Sequence, residues 1–488
     1  MAYRIKNIRL LVRETKPGRL GLSLGKKAQG SAPPPPSTSP LCHCHVELED
    51  SAGNKSFGCS ADRLSVRWLD KRPGRDKSTK LRELVDLLGK TRTLYLNDPG
   101  FDTPFDLWLA NHAKVMAMGR NAGQEDLTSV YASSLFERAL IDAACRIHKL
   151  SLLEMLAGDK LGFRPSRIHD TLTTDRPNSY LPPQISTRIN IRHTVGFFDP
   201  LDATERPPAN RLNDGLPETL EEIISEYGIR YFKVKVSGNP EADYQRLSRV
   251  WSVLPHSAEP VITLDANEAF EKPVEFVQFL KRLREDQLGL FQHIAFVEQP
   301  FPRRISLSAE SEAAIREAGR IKPLIIDESD AGLDSFPKAV KLGYSGTSHK
   351  NCKGVFKSLA NRALMLQLLD QNSQLFMTAE DLQNLPIVPL HQDFLMVAIL
   401  GLSHCERNGH HYNRGLSMLS GKDKKSVSRN HTDLYHQRGD EWYLRINAGQ
   451  VAINSLFKTG FAVVDEPDWD SMTELTTWLE ERYPNPNG

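Results

Sequence analysis

Three acidic residues, Asp265, Glu298 and Asp327, each close a short apolar run, in "PVITLD", "IAFVE" and "PLIID". Carboxylates gathered at one place repel one another unless a cation neutralises them. The trio therefore predicts a metal site, and all-oxygen ligation favours Mg2+ first and Mn2+ next. Taken singly, each acid has an ordinary alternative as a helix N-cap or a loop salt-bridge partner. Lysines bracket the acids along the chain: Lys233 and Lys235 precede them in "YFKVKVS", and Lys350 follows them in "YSGTSHK". The alternation of the first segment puts Lys233 and Lys235 on one face of a strand and Phe232, Val234 and Val236 on the other. On a solvated face two such lysines are unremarkable. Buried side by side, like charge and desolvation both disfavour the ammonium, lowering its pKa toward the range where a neutral amine acts as a base.

Chemistry of this kind needs a scaffold that brings distant residues together. From about residue 185, strand-like runs alternate with amphipathic helical stretches. The charged residues Lys235, Asp265, Glu298, Asp327, Lys350, Glu380 and Glu406 end seven of these runs, at successive steps of 30, 33, 29, 23, 30 and 26 residues. Each step is about one βα unit, and an earlier strand in "RINIRHTVGF" makes eight. The expectation is an α/β chain built on a (β/α)8 barrel over 185–415, with its site at the C-terminal strand ends. Strands two and six lie on opposite sides of such a barrel, so Lys235 and Lys350 would face each other across the metal and reach the two faces of one substrate carbon. Glu380 and Glu406, at strand ends seven and eight, are candidate substrate-binding residues, with N-capping as their alternative. An open doubly wound sheet competes with the barrel, but neither GxGxxG nor GxxxxGK[ST] occurs; "GRLGLSLGKK" has the wrong glycine spacing.

The preceding residues, 1–184, read as strands followed by helices, an α+β domain capping the barrel. Within it the Gly-, Pro- and Ser-rich loop 18–40 is expected to be mobile, either as part of a lid over the barrel mouth or as a plain linker. The helix in "SSLFERALIDAACRIHKL" presents a broad apolar face through Leu135, Ala139, Leu140, Ile141 and Ala144. Residues 416–488 form a C-terminal segment expected to pack on the cap.

Composition narrows the classes. With 488 residues, 40% hydrophobic, 25% charged and a net charge of +1, nothing points to nucleic acid or an anionic membrane as partner. No apolar run approaches the roughly 20 residues of a membrane span, and the N-terminus lacks a signal-peptide pattern. A cytoplasmic protein with six reduced cysteines follows, and a homo-oligomer is compatible with this composition.

The ordered set "KVK", "LDAN", "VEQP", "IDES" and "HKNCKG" resembles the enolase superfamily, in its muconate lactonizing enzyme-like, mandelate racemase-related group. "FERALIDAACR" and "LPETLEEIISEYGIRYFKVKV" are similar to that family's helix before the barrel and its run into the second strand. The resemblance implies Asp265, Glu298 and Asp327 as Mg2+ ligands and Lys235 and Lys350 as acid/base catalysts. It gives Lys233 an electrostatic role and a contact to a substrate carboxylate. The implied reaction removes the proton alpha to the carboxylate of a small substrate through an enolate. Opposed lysines favour a racemase or epimerase; a lyase (dehydratase or cycloisomerase) is the same-class alternative, and a non-catalytic metal-binding member the second. Two departures leave the substrate open. Glu406-Arg407-Asn408 stands where dipeptide-epimerising members carry Asp-x-Asp, and Gly354-Val355 stands where Gly-Gly is common.

Overall fold

A computed structural model describes residues 3–21, 35–38, 40–254, 257–369 and 374–484. Most of the 18–40 loop, residues 22–34 and 39, lies outside the described residues.

The N-terminal strands β1 (Tyr3–Arg13), β2 (Leu41–Asp50) and β3 (Lys55–Arg63) pair antiparallel in that order. Against the sheet lies the helix Asp126–His148, every residue of which from Leu127 to Cys145 is buried. Its apolar residues extend all round, which suits a helix buried on every side. The contact with β3 is close enough to demand glycine at position 58: a Cβ there would sit 2.1 Å from the Ala139 carbonyl oxygen and 2.2 Å from the Ala143 nitrogen. Small residues on the helix face that glycine, so backbone approaches backbone.

Eight parallel strands follow: β4 (Arg188–Val195), β5 (Tyr231–Lys235), β6 (Val261–Asp265), β7 (Ile294–Glu298), β8 (Leu324–Ile326), β9 (Gly346–His349), β10 (Phe376–Ala379) and β11 (His404–Glu406). Each bonds to the next, and β11 pairs back to β4 through His404–Asn190, Cys405–Ile191 and Glu406–Arg192, closing the barrel. Local chemistry sets the entry to β5. Thr219 and Glu222 form a reciprocal capping box at the start of helix Leu220–Tyr227, and Gly228, at φ 64°, ends it in the left-handed conformation. Three residues later the chain is in β5, with Phe232 and Val234 buried against the helices.

The C-terminal residues serve both parts. Gln450–Ala452 adds an antiparallel strand to the N-terminal half of β4, and Thr473–Glu474 pairs antiparallel with β1 at the edge of the cap sheet. Among the described residues, no helix is long and apolar enough to cross a membrane.

Cap and barrel meet through buried polar groups. Arg138 pairs with Asp62 inside the cap, and Asn384, from the loop after β10, donates to Asp62 Oδ1 at 2.8 Å. Glu137 Oε1 accepts from the backbone nitrogen of Phe356 at 2.7 Å, capping from another domain the helix Val355–Leu369 that follows Lys350. Burial pushes the Glu137 carboxyl up to about 7, the backbone bonds only partly opposing it. The folded chain thus holds this proton more tightly than the unfolded chain, and the stability it confers is lost as pH rises from 4.5 through about 7. E137Q keeps an acceptor for Phe356 but cannot ionise. Relative to the parent it should gain stability between pH 5 and pH 8, on the order of 3 kcal/mol in urea unfolding. A difference that stays constant across that range would contradict the assignment.

Candidate active site

The barrel brings every charged strand-end residue to one mouth. Lys235, Asp265, Glu298 and Glu406 are the last residues of β5, β6, β7 and β11, while Asp327, Lys350 and Glu380 directly follow β8, β9 and β10. All are buried, with Asp265, Glu298 and Asp327 at 0% exposure and Lys233 at 1%. Strand alternation points Lys233 and Lys235 into the barrel and Phe232 and Val234 outward.

At the centre stands Lys233. Its Nζ lies 2.9 Å from Asp265 Oδ2, 3.0 Å from Glu298 Oε1 and 2.7 Å from Glu380 Oε2. Lys235 Nζ donates to Asp265 Oδ2 at 2.5 Å and Asn267 Oδ1 at 2.6 Å. Across the barrel, Lys350 Nζ lies 2.6 Å from Asp327 Oδ2 and 2.9 Å from Glu380 Oε2. A fourth ammonium, Lys353, braces Asp327 from behind through Oδ1 at 2.9 Å and the backbone oxygen at 3.2 Å. Glu406 is further round the rim, its Oε1 accepting from Thr194 Oγ1 and, at 3.2 Å, from Gln383 Nε2.

This arrangement corrects the tuning expected of Lys233. Burial by itself would lower the Lys233 pKa, but Asp265, Glu298 and Glu380 outweigh it and push the pKa well above the usual lysine value. Lys350 moves the same way, burial being overcome by Asp327 and Glu380. The acids crowding these ammonium groups lie in other βα units, which is why reading the lysine pair alone gave the opposite sign. The acids are mutually frustrated as well. Burial, and next the charge of Glu380, drive the Glu298 carboxyl well up, and Glu298 Oε2 is buried with no hydrogen-bond partner. Oxygen atoms of Glu298, Asp327 and Glu380 lie within 4.8 Å of one another. An orphaned carboxylate oxygen within an all-oxygen cluster is the donor set a hard divalent cation fits. Asp265 is not in that closest group; both its oxygens are engaged, Oδ2 by the two lysines and Oδ1 by the Asn267 backbone nitrogen at 2.9 Å.

Residues 215–354 match the family model described as enolase C-terminal domain-like. Over that stretch, which runs from the approach to β5 to just past Lys350, the chain is similar to the enolase superfamily. It is 31% identical over 105 residues to an L-Lys-D/L-Arg epimerase from Methylococcus capsulatus, a match covering 19% of this chain and 27%, about a quarter, of that protein. Two solved structures share the fold. One is a mandelate racemase/muconate lactonizing protein from Herpetosiphon aurantiacus (TM-score 0.57, 13% identity, covering 94% of this chain and 98% of that one). The other is a dipeptide epimerase from Enterococcus faecalis V583 complexed with Mg and the dipeptide L-Leu-L-Tyr (TM-score 0.55, 13% identity, covering 95% and 100%).

Several residues of this barrel mouth carry no assignment from the sequence. Asn267 and Lys353 stand in "LDAN" and "HKNCKG", and their spacing from Asp265 and Lys350 offered a signal. Trp68, whose ring lies 4.2 Å from Lys350 Nζ, comes from the cap and had none. At the eighth strand, Arg407 is buried beside Asp381 and donates to the backbone oxygen of Asn384.

Because Lys233 is the shared partner of three buried acids, K233M should leave them uncompensated. With EDTA present, the variant is expected to lose about 3–5 kcal/mol of stability, read as a lowered midpoint in urea unfolding. An unchanged midpoint would show that the acids relax independently of Lys233.

Proposed function

We propose that this chain is a Mg2+-dependent enzyme that removes the proton alpha to a carboxylate through an enolate intermediate, acting as a racemase or epimerase. The observation supporting it is the placement of Lys235 and Lys350. Lys235 ends the second of eight barrel strands and Lys350 directly follows the sixth, so they flank the carboxylate cluster from opposite sides, each paired with a different acid.

Asp265, Glu298 and Asp327 would hold the ion. Glu380, already the acceptor of Lys233, Lys350 and Ser348, would remain the charge partner of the lysines. When bound, Mg2+ would supply Lewis acidity toward the substrate carboxylate and offset the negative charge that holds Lys233 and Lys350 as ammonium groups. One of Lys235 and Lys350 then takes the alpha proton from its face. The other, as an ammonium, delivers a proton to the opposite face, and the carbon inverts. Lys233, buried and ringed by acids, stabilises charge developing on the substrate carboxylate. Loss of a beta group before reprotonation would make the enzyme a lyase, for which one lysine suffices. The L-Lys-D/L-Arg epimerase relative supports a substrate built from amino acids, although Glu406-Arg407-Asn408 replaces Asp-x-Asp.

Solvent-deuterium exchange at the alpha carbon tests the reading, using dipeptides such as L-Lys-L-Arg, L-Ala-L-Glu and L-Leu-L-Tyr together with acid sugars. Label appearing in both configurations supports the epimerase, and label accompanied by an unsaturated product supports a lyase. Absence of exchange across the library, with Mg2+ bound, would overturn both in favour of a non-catalytic metal-binding protein.

Substitutions refine the roles. K235A and K350A should each reduce turnover by at least about 10³-fold while the fold and Mg2+ binding persist. Unaltered turnover in either variant would sink the two-lysine mechanism. D265N should weaken Mg2+ binding by at least about tenfold in calorimetry, and E380Q by much less. The reverse order would assign Glu380, rather than Asp265, to the ion.

A further inference from the structure

One carboxylate oxygen touches the surroundings of both opposed lysines. Glu328, next to Asp327 and 1% exposed, accepts at Oε1 from Asn267 Nδ2 at 2.9 Å and from Trp68 Nε1 at 3.2 Å. Asn267 in turn accepts from Lys235 through Oδ1, and the Trp68 ring lies over Lys350. The links run Lys235, Asn267, Glu328, Trp68, Lys350, from one side of the barrel to the other by way of the cap.

The chemistry of the donors and acceptors fixes the direction of each link. An ammonium can only donate, so the amide turns its oxygen to Lys235, which leaves its nitrogen to donate to Glu328 Oε1. Without the carboxylate, the Asn267 amide is free to rotate its NH2 toward an ammonium that repels it. Its backbone is already committed, at φ 43° with the nitrogen held by Asp265 Oδ1. On the other branch, the indole N–H has the same oxygen as its acceptor, which sets the plane of the ring over Lys350. The cap helix Val66–Leu69 bearing Trp68 is held separately at its backbone: Arg303 Nη2 donates to Trp68 O at 3.1 Å and Nη1 to Leu69 O at 3.2 Å. Arg303 thus holds the helix in place, leaving Glu328 to orient the side chain.

We propose that Glu328 is a positioning residue shared by both acid/base lysines, orienting Asn267 at Lys235 and Trp68 at Lys350 without touching substrate. The inference rests on the two-lysine reading above. It assigns each branch to one face of the substrate carbon, so the branches are separable by stereochemistry.

The test compares E328A, E328Q, N267G and W68F in deuterium exchange from each epimer of a dipeptide that the parent turns over. Glycine is chosen at 267 because the left-handed backbone costs it nothing. E328A should slow exchange from both epimers at least about tenfold with KM little changed. N267G should slow mainly one epimer and W68F mainly the other, and E328Q, which keeps the acceptor, should recover most of the loss. Parent-like rates in E328A, or equal losses from both epimers in N267G and W68F, would overturn the proposal. A second arm needs no substrate: exchange of the Trp68 indole N–H with deuterated solvent, followed by NMR. Protection reduced in E328A and retained in E328Q supports the anchor, and protection unchanged in E328A overturns it. Should neither the dipeptides nor the acid sugars exchange with the parent, the enolate reading falls while this arm still decides the role of Glu328.

Discussion

Everything at the barrel mouth follows from balancing charge where water is excluded. Five carboxylates, Asp265, Glu298, Asp327, Glu380 and Glu406, share that space with four ammonium groups, Lys233, Lys235, Lys350 and Lys353. Singly, a buried ion of either sign costs several kcal/mol, and only close, hydrogen-bonded opposition offsets that cost. The fifth positive charge comes from beneath. Arg192, fully buried on β4, donates from Nη2 to the backbone oxygen of Ala379, one residue before Glu380, and helps hold that carboxyl below the usual range. The fold therefore has little freedom to move one charged group without disturbing another, which is the property a site needs when protons must travel along defined lines.

The cap participates in this balance. Glu137 reaches across to begin the helix after Lys350, Asp62 and Arg138 receive Asn384 from the loop after β10, and Arg303 grips the carbonyls of Trp68 and Leu69. Each contact ties a cap element to a loop bearing or adjoining a charged strand-end residue. The domain boundary is thus polar where it faces the chemistry, whereas β3 and the helix Asp126–His148 meet within the cap through Gly58 and alanines.

The barrel was readable in the sequence because its signal is local and repeated. Seven of the eight strands are closed by a charged residue, and the spacing between closures is about the length of one βα unit. The inward direction of Lys233 and Lys235 was readable for the same reason, since alternation is a property of five consecutive residues. What could not be read depends on groups joined only by folding. The pKa direction of Lys233 reversed because its acids arrive from β6, β7 and the end of β10. The approach of Glu380 to Glu298 and Asp327 was hidden likewise, because a substrate-facing acid and a ligand-cluster acid look alike in a run of residues. Trp68 lies some 260 residues before Glu328 and in another domain, with no spacing rule to connect them. The C-terminal residues lacked a period because they complete two sheets, β4 and β1, rather than build one.

The lower half of the barrel decides where a substrate can enter. Below the acids the interior is filled by Arg192, bonded to Thr378 Oγ1 at 2.5 Å and His404 Nδ1 at 2.9 Å, with its guanidinium over Phe296. Phe296 meets Phe376 at 5.2 Å between ring centroids, and Tyr231 stacks on His404 at 4.8 Å. Packed rings and a buried guanidinium bonded through both terminal nitrogens fill the axis on that side. Access must then be from the C-terminal face, which the cap covers with the Trp68 helix. A residue that orients Trp68 is in consequence placed to govern both what reaches Lys350 and how Lys350 meets it, so selectivity and stereochemistry would be expected to change together when that contact is altered.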